Sequence, residues 1–155
     1  MLTRGRRLGV DVGKVRVGVA LSDPDGILAT PLVTLPRDPT RTDEMAADFV
    51  PADIAELVRL VAEHDAVQIV VGLPVRLNGA EGPAAADIRA YVQRLEASAG
   101  HIPVVLTDER MSTVVATRRL ADRGVRGKRQ RAVVDQAAAV EILQSWLDAQ
   151  RRQTR

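Results

Sequence analysis

Two adjoining runs of alternating apolar residues near the start of the chain constrain the fold most. Residues 8–13 and 15–22 each alternate apolar side chains with small or polar ones, which is the two-residue period of a β-strand. The Gly13-Lys14 step between them predicts a tight turn, so the two strands form a hairpin. A second turn follows at Asp23-Pro24-Asp25-Gly26, and residues 27–35 form the third strand. The chain therefore begins with three antiparallel strands.

The rest of the sequence alternates predicted helices with predicted strands. We expect loops over 36–50 and 72–82, helices over 51–63, 83–97, 112–122 and 131–150, and strands over 67–71 and 104–106. Because helical crossovers make successive strands parallel, the predicted class is α/β, in the order β-β-β-α-β-α-β-α-α. The expected result is a mixed five-stranded sheet with helices on both faces, in a single domain over residues 1–155.

Composition excludes several classes of function. The 155 residues include no cysteine and two histidines, which rules out disulfides, thiolate metal sites, cysteine nucleophiles and sites built from several histidines. Aromatic residues make up 2% of the chain, so extensive stacking on bases is not expected. No apolar run approaches the about 20 residues of a membrane span, and no signal peptide is evident. We therefore expect a cytoplasmic protein that does not bind membranes.

Asp11 is the first candidate functional residue. It lies in the first predicted strand, on the side opposite the apolar residues, with Gly9 and Gly13 beside it on its own face. We expect these small neighbours to leave open space next to the carboxylate. The alternative is that a lone acid on a strand has only a structural role, at a turn or at the edge of a sheet.

Asp108 and Glu109 come directly after the last predicted strand. Open α/β sheets bind their ligands at the carboxyl ends of strands, which is where this acidic pair falls. The alternative is that one acid lies near the N-terminus of the next helix and is stabilised there by the helix dipole. That alternative leaves the second acid unexplained.

Asp135 heads an apolar stripe of the last predicted helix, formed by Ala138, Ala139, Ile142 and Trp146. An acid on this stripe points toward the sheet, either as a functional group or as a carboxylate paired with an arginine. Three carboxylates converging on one sheet end repel each other unless a cation lies among them. Oxygen ligands without cysteine or histidine favour Mg²⁺ or Mn²⁺. Two such ions, about 3.5–4 Å apart, can support phosphodiester cleavage.

The charge distribution points to a polyanionic partner. The formal net charge is +2, but bases outnumber acids strongly between residues 118 and 131. The bases of this segment are Arg118, Arg119, Arg123, Arg126, Lys128, Arg129 and Arg131. Arginine forks match phosphate geometry, and we expect Arg126, Lys128 and Arg129 to bind substrate. A coding bias toward arginine is the alternative explanation.

Four segments together resemble a known family. They are LGVDVGKVRVGVALSD (8–23), VGLPVRLNGAEGP (71–83), TDERMST (107–113) and VDQAAAVEILQSWL (134–147). In this order they resemble the motifs of the YqgF/RuvX family of pre-16S rRNA nucleases, which are also described as Holliday-junction-resolvase-like. The resemblance implies an RNase H-like fold and a metal-dependent nuclease site at Asp11, Glu109 and Asp135. Residues 37–50 depart from the family's pattern, because this stretch between the third strand and the first helix is longer than expected.

Other residues in these motifs are candidates for substrate binding. Lys14 and Arg16 could meet a scissile phosphate or simply neutralise Asp11. Arg110 follows the acidic pair, and Ser112 with Thr113 could cap the next helix, whose N-terminus would then also bind phosphate.

Several other functions compete with an RNA nuclease. The first motif also resembles the phosphate loop of actin-like ATPases, but those proteins close two such domains around a nucleotide. The family's names leave an rRNA precursor and a branched DNA junction as substrates, and a non-catalytic RNA-binding assembly factor is a further alternative. We favour RNA because junction cleavage usually needs a symmetric dimer. No dimer stripe is evident in the sequence, so a monomer or weak dimer is expected.

Overall fold

The computed structural model describes residues 2–38, 49–76, 78–108 and 128–153, with side chains of the last range described from Arg131 onward. The predicted helix over 112–122 and most of the loop over 36–50 lie outside the described residues. The strands are β1 (Arg7–Val12), β2 (Arg16–Ser22), β3 (Ala29–Pro36), β4 (Gln68–Leu73) and β5 (Val104–Asp108). The helices are α1 (Ala52–Glu63), α2 (Pro83–Ala99) and α3 (Lys128–Gln153).

These strands form one sheet in the order β3-β2-β1-β4-β5. β2 is antiparallel to both β1 and β3, whereas β4 is parallel to both β1 and β5. The hairpins produce the antiparallel half and the helical crossovers produce the parallel half. The predicted mixed five-stranded sheet is confirmed, and β1 is its central strand.

The two faces of the sheet carry different cores. On one face, the alternate apolar residues of β1, β2 and β4 pack with α1 and α2. On the other face, α3 packs against smaller residues such as Ala20 and Val70. Two glycines let α3 approach: a Cβ on Gly9 would lie 2.6 Å from the Cβ of Leu143, and one on Gly18 would lie 2.1 Å from the carbonyl oxygen of Asp135. The expectation of open space beside Gly9 is therefore wrong, because α3 fills it.

The strand boundaries differ from the prediction by one or two residues, and those of β3 and β5 show two such differences. β3 begins at Ala29 instead of residue 27, because the Asp23 carboxylate prolongs the preceding turn. Oδ1 of Asp23 accepts hydrogen bonds from the backbone N–H groups of Ile27 (2.8 Å) and Leu28 (2.7 Å). The apolar side chains of both residues are exposed. β5 runs on to Asp108, which pairs with Leu73 of β4. Asp108 is therefore part of the last strand. No helix in the described ranges is long and apolar enough to cross a membrane.

Candidate functional site

A cleft of about 620 Å³ opens at the carboxyl ends of β1 and β4. Its floor is the β1–β2 turn from Val12 to Arg16, and its walls come from the residue after β4, the first turns of α2, and α3. The wall residues are Pro74, Pro83, Ala84, Asp87, Ile88 and Asp135. The chain therefore has a concave site where the parallel strands end, which is the expected position for a ligand in an open α/β sheet.

Asp11 and Asp135 lie on elements that meet at Gly18. Asp11 pairs with Gly18 across the β1–β2 hairpin, is 2% exposed, and lies on the same side of β1 as Gly9, the side that α3 covers. A Cβ on Gly18 would lie 2.1 Å from the Asp135 carbonyl oxygen and 3.2 Å from the Asp135 Cβ. The absence of a side chain at Gly18 therefore brings the backbone of α3 at Asp135 onto the strand pair that carries Asp11.

Arg16 forms an ion pair with Asp135. The guanidinium Nε donates to Oδ2 of Asp135 at 2.5 Å, and the two side chains are 30% and 15% exposed. Arg16 lies two residues from Gly18 on β2, so it is on the same face of the hairpin as Asp11, which pairs with Gly18. The sequence left two interpretations of Asp135, a functional group or a carboxylate paired with an arginine. The structure shows the pairing with an arginine. The Arg16 guanidinium therefore supplies the positive charge that partners this carboxylate in the structure.

Asp108 points away from the face that carries Asp11. It has the same position in the strand alternation as Val104 and Leu106, which pack against the core on the α1 and α2 face. The side chain is exposed at the end of β5. The structure therefore does not bring Asp108 together with Asp11 and Asp135.

The sequence analysis missed a group of residues that fixes the β1–β2 turn. The backbone N–H of Arg37 donates to the carbonyl of Val15 at 2.8 Å, and its Nη1 donates to the carbonyl of Gly13 at 3.0 Å. Both Nη atoms also donate to the Asp87 carboxylate at 2.8 Å, which holds the pKa of Asp87 below its usual value. The turn that carries Lys14 is thus tied to α2 at the cleft.

The Arg37 guanidinium also contacts the buried aromatic ring of Tyr91. The Arg37 guanidinium lies 5.3 Å from the centre of the Tyr91 ring, and the Tyr91 hydroxyl donates to Oδ2 of buried Asp53 at 2.9 Å. Burial, and secondarily the Asp53 charge, raises the pKa of Tyr91. In the sequence, the i, i+4 spacing of Asp87 and Tyr91 on α2 was the one signal that could have shown that these two side chains are neighbours.

The side chains at this site fit a divalent cation only in part. Asp11 and Asp135 supply carboxylate oxygens, the ligands that Mg²⁺ and Mn²⁺ prefer. Within 2–38, 49–76, 78–108 and 128–153, no three His, Cys, Asp or Glu side chains form a group able to hold a metal ion. The third expected ligand, Glu109, lies outside the described residues, as do Arg110, Ser112, Thr113 and Arg126. Lys128 and Arg129 begin α3, but their side chains are not described.

Three antiparallel strands, two further parallel strands and an acid on the central strand define an RNase H-like domain. T. thermophilus RuvC, solved in complex with a Holliday junction substrate, has the same fold, with a TM-score of 0.52 at 17% identity over 95% of this chain and 96% of that chain. The family model RuvX, described as Holliday junction resolvase, matches residues 5–149. The chain belongs to the RuvX family.

Curated relatives support this membership over nearly the whole chain. A protein of Rhodococcus erythropolis is 50% identical over 149 residues, which is 96% of this chain and 81% of the relative. One of Streptomyces coelicolor is 51% identical over 151 residues, or 97% of this chain and 84% of the relative. Both carry the name "Putative pre-16S rRNA nuclease".

Proposed function

We propose that the protein is a metal-dependent nuclease that cleaves phosphodiester bonds in structured RNA and processes the 5′ end of pre-16S rRNA in the cytoplasm. The observation that carries this proposal is the packing of α3 at Asp135 onto Gly18, the residue that pairs with Asp11, next to a cleft at the carboxyl ends of β1 and β4. The names of the curated relatives support rRNA as the substrate. In this proposal residues 1–155 act as a single nuclease domain.

Asp11, Glu109 and Asp135 are the proposed metal ligands and catalytic residues. Bound there, two Mg²⁺ or Mn²⁺ ions would supply an activated water and stabilise the leaving oxygen. The protein contributes fixed carboxylates: Asp11 is buried in the central strand, and Asp135 is held by the packing of α3 on Gly18. Such rigid placement matters because small displacements of catalytic groups reduce rates strongly.

Cationic and polar residues around the cleft are the proposed substrate-binding set. Lys14 and Arg16 line the cleft itself, where they would contact phosphates on either side of the scissile bond. Arg110, Ser112, Thr113, Arg126, Lys128 and Arg129 are proposed to extend this surface. Phosphate contacts position a nucleic acid without reading its sequence, so recognition would depend on the shape of the folded RNA.

A four-way DNA junction is the second candidate substrate. The family model carries the description Holliday junction resolvase, and the structural likeness is to RuvC on a junction. A likeness at 17% identity concerns the fold, whereas the relatives at about half identity carry the rRNA name. We therefore favour RNA.

The test compares both substrates under the same conditions. Purified protein is incubated with a precursor fragment spanning the mature 5′ end of 16S rRNA and with a four-way junction, each with Mn²⁺, Mg²⁺ or EDTA. Metal-dependent cleavage of the RNA that Asp11→Asn abolishes would support the proposal. Cleavage of the junction alone would favour a resolvase. Binding of RNA without cleavage in any ion would favour a non-catalytic assembly factor.

A further inference from the structure

We propose that Arg16 competes with a divalent cation for Asp135, and that metal binding releases Arg16 into the cleft to bind a substrate phosphate. In the structure the Arg16 Nε donates to Oδ2 of Asp135 at 2.5 Å. Arg16 thus supplies the positive charge that partners this carboxylate. The inference rests on the proposed nuclease function, since it requires Asp135 to be a metal ligand.

The backbones on both sides of this ion pair are fixed. The carbonyl oxygen of Arg16 accepts the N–H of Gly13 at 2.9 Å, and Arg16 pairs with Pro36 in β3. On α3, the Thr34 hydroxyl donates to the carbonyl of Ala132 at 2.7 Å, one turn before Asp135. Exchange of partners at Asp135 therefore requires movement of the Arg16 side chain and not of the strand or the helix.

The Arg16 side chain has room for this movement. It is 30% exposed and lines the cleft, whereas the Asp135 side chain is 15% exposed. A divalent ion on Asp135 would place two positive charges beside the guanidinium and repel it. Once released, the planar guanidinium suits a phosphate group, to which it can donate two parallel hydrogen bonds. The same side chain would thus stabilise the metal-free protein and bind substrate in the metal-bound protein.

The first experiment measures Mn²⁺ binding by isothermal titration calorimetry. Removing a charge-assisted hydrogen bond to Asp135 should leave the carboxylate open, so Arg16→Gln should bind Mn²⁺ about tenfold more tightly than wild type. Lys14→Gln is the matched control, because it removes the same charge from the same turn without a hydrogen bond to Asp135. Arg16→Lys keeps the charge and should fall between Arg16→Gln and wild type. Circular dichroism checks that each variant folds.

The second experiment measures RNA binding by fluorescence anisotropy in EDTA and in Ca²⁺, another cation with oxygen ligands. In EDTA, Arg16→Gln should weaken RNA binding only slightly, because Asp135 already holds the Arg16 guanidinium. In Ca²⁺ the variant should bind several-fold more weakly. Gel electrophoresis confirms that the RNA stays intact during the measurement.

Failure of this inference is distinguishable from failure of the proposed function. If wild type binds Mn²⁺ but Arg16→Gln binds it no more tightly than Lys14→Gln does, Arg16 does not compete for Asp135, and the proposed function stands. Equal loss of RNA affinity in EDTA and in Ca²⁺ would refute the release of Arg16. If neither wild type nor any variant binds a divalent ion, both the metal-dependent function and this inference are wrong.

Discussion

At the scale of single residues, the candidate site depends on what Asp11 and Gly18 each contribute. Asp11 is a charged residue at 2% exposure, and a buried carboxylate is costly unless compensating partners or a cation are present. Gly18 contributes by having no side chain, because the backbone of α3 occupies the space in which a Cβ would stand. Asp11 thus supplies a charge to the candidate site and Gly18 supplies the space for α3, and the two residues are paired across one hairpin.

We expect Asp11→Asn, Glu109→Gln and Asp135→Asn each to reduce RNA cleavage to near background, because each amide keeps the shape and removes the charge that holds a cation. Cleavage assays with a precursor substrate in Mn²⁺ measure this, and circular dichroism confirms the fold. Asp108→Asn is the matched control and should retain most activity, since Asp108 lies on the other side of its strand. If Glu109→Gln cleaves RNA normally and Asp108→Asn does not, the third metal ligand is Asp108 and not Glu109.

We expect Gly18→Ala to destabilise the protein by about 1–3 kcal/mol, the usual cost of forcing extra volume into a packed interior. The added methyl would meet the Asp135 carbonyl, which is backbone and cannot turn aside. Urea denaturation gives the free energy of unfolding. Gly82→Ala is the control, because its Cβ would approach the flexible end of the Arg76 side chain at 3.3 Å and no backbone atom among the described residues as closely. Equal stability of the two variants would show that α3 is not tightly seated on Gly18.

At the scale of elements, three parts of the fold meet at the β1–β2 turn. β1 and β2 supply the turn, Arg37 just after β3 holds its carbonyls, and Asp87 anchors Arg37 to α2. The Arg37–Asp87 pair is bidentate, the geometry in which guanidinium–carboxylate bonds are strongest. It is thus a structural link between α2 and the turn that carries Lys14.

This link predicts a pH dependence of stability. Because Arg37 lowers the pKa of Asp87 in the folded protein, the pair stabilises the fold above the unfolded pKa of about 3.9 and loses this effect as pH falls through the lower folded value. Asp87→Asn should therefore be less stable than wild type near pH 6, and the difference should shrink toward pH 2.5. Denaturant unfolding across this pH range measures it.

Glu81→Gln serves as the control for the pH experiment. Glu81 also pairs with an arginine, but the Arg89 side chain is 50% exposed, whereas Arg37 is 17% exposed, and pairs between exposed groups contribute little. We expect this variant to follow the wild-type stability at every pH. A difference between Asp87→Asn and wild type that does not change with pH would contradict the assigned role of the Arg37–Asp87 pair.

At the scale of the whole molecule, charge and shape combine around the cleft. α3 begins at Lys128, about two helical turns before Asp135, so the end of the basic segment 118–131 leads into the helix that borders the cleft. A polyanion entering the cleft would therefore meet Lys14 and Arg16 on one side and the start of α3 on another. This arrangement suits a nucleic acid whose phosphates flank the scissile bond.

RNA affinity should fall steeply as salt rises, because each neutralised phosphate releases counterions. Neutralising Arg126, Lys128 and Arg129 together should weaken binding to all RNA sequences alike and reduce the salt dependence. Fluorescence anisotropy between about 50 and 200 mM salt covers the range where this effect is large. Affinity that barely changes with salt, or a triple variant that binds as wild type does, would show that the arginines serve only as a solvated surface.

The sequence by itself determined the architecture and singled out the acidic residues that are candidates for the site. The alternation in β1 and β2, the turn at Gly13 and the apolar stripe after Asp135 each reflect local periodicity, which short stretches of chain encode directly. They predicted the mixed five-stranded sheet, the opposite sides of Asp11 and its apolar neighbours, and the orientation of Asp135 toward the sheet. The four motifs identified the family.

Only the tertiary structure decided which side chains meet. Arg16 and Asp135 are 119 residues apart in sequence, and Arg37 and Asp87 are 50 apart, so no local pattern could pair them. The same reason explains the wrong expectation about Gly9: a strand pattern shows that a residue is small, but not that a helix from the far end of the chain fills the space. Periodicity fixes which face a side chain occupies, whereas close packing of distant segments fixes its partner.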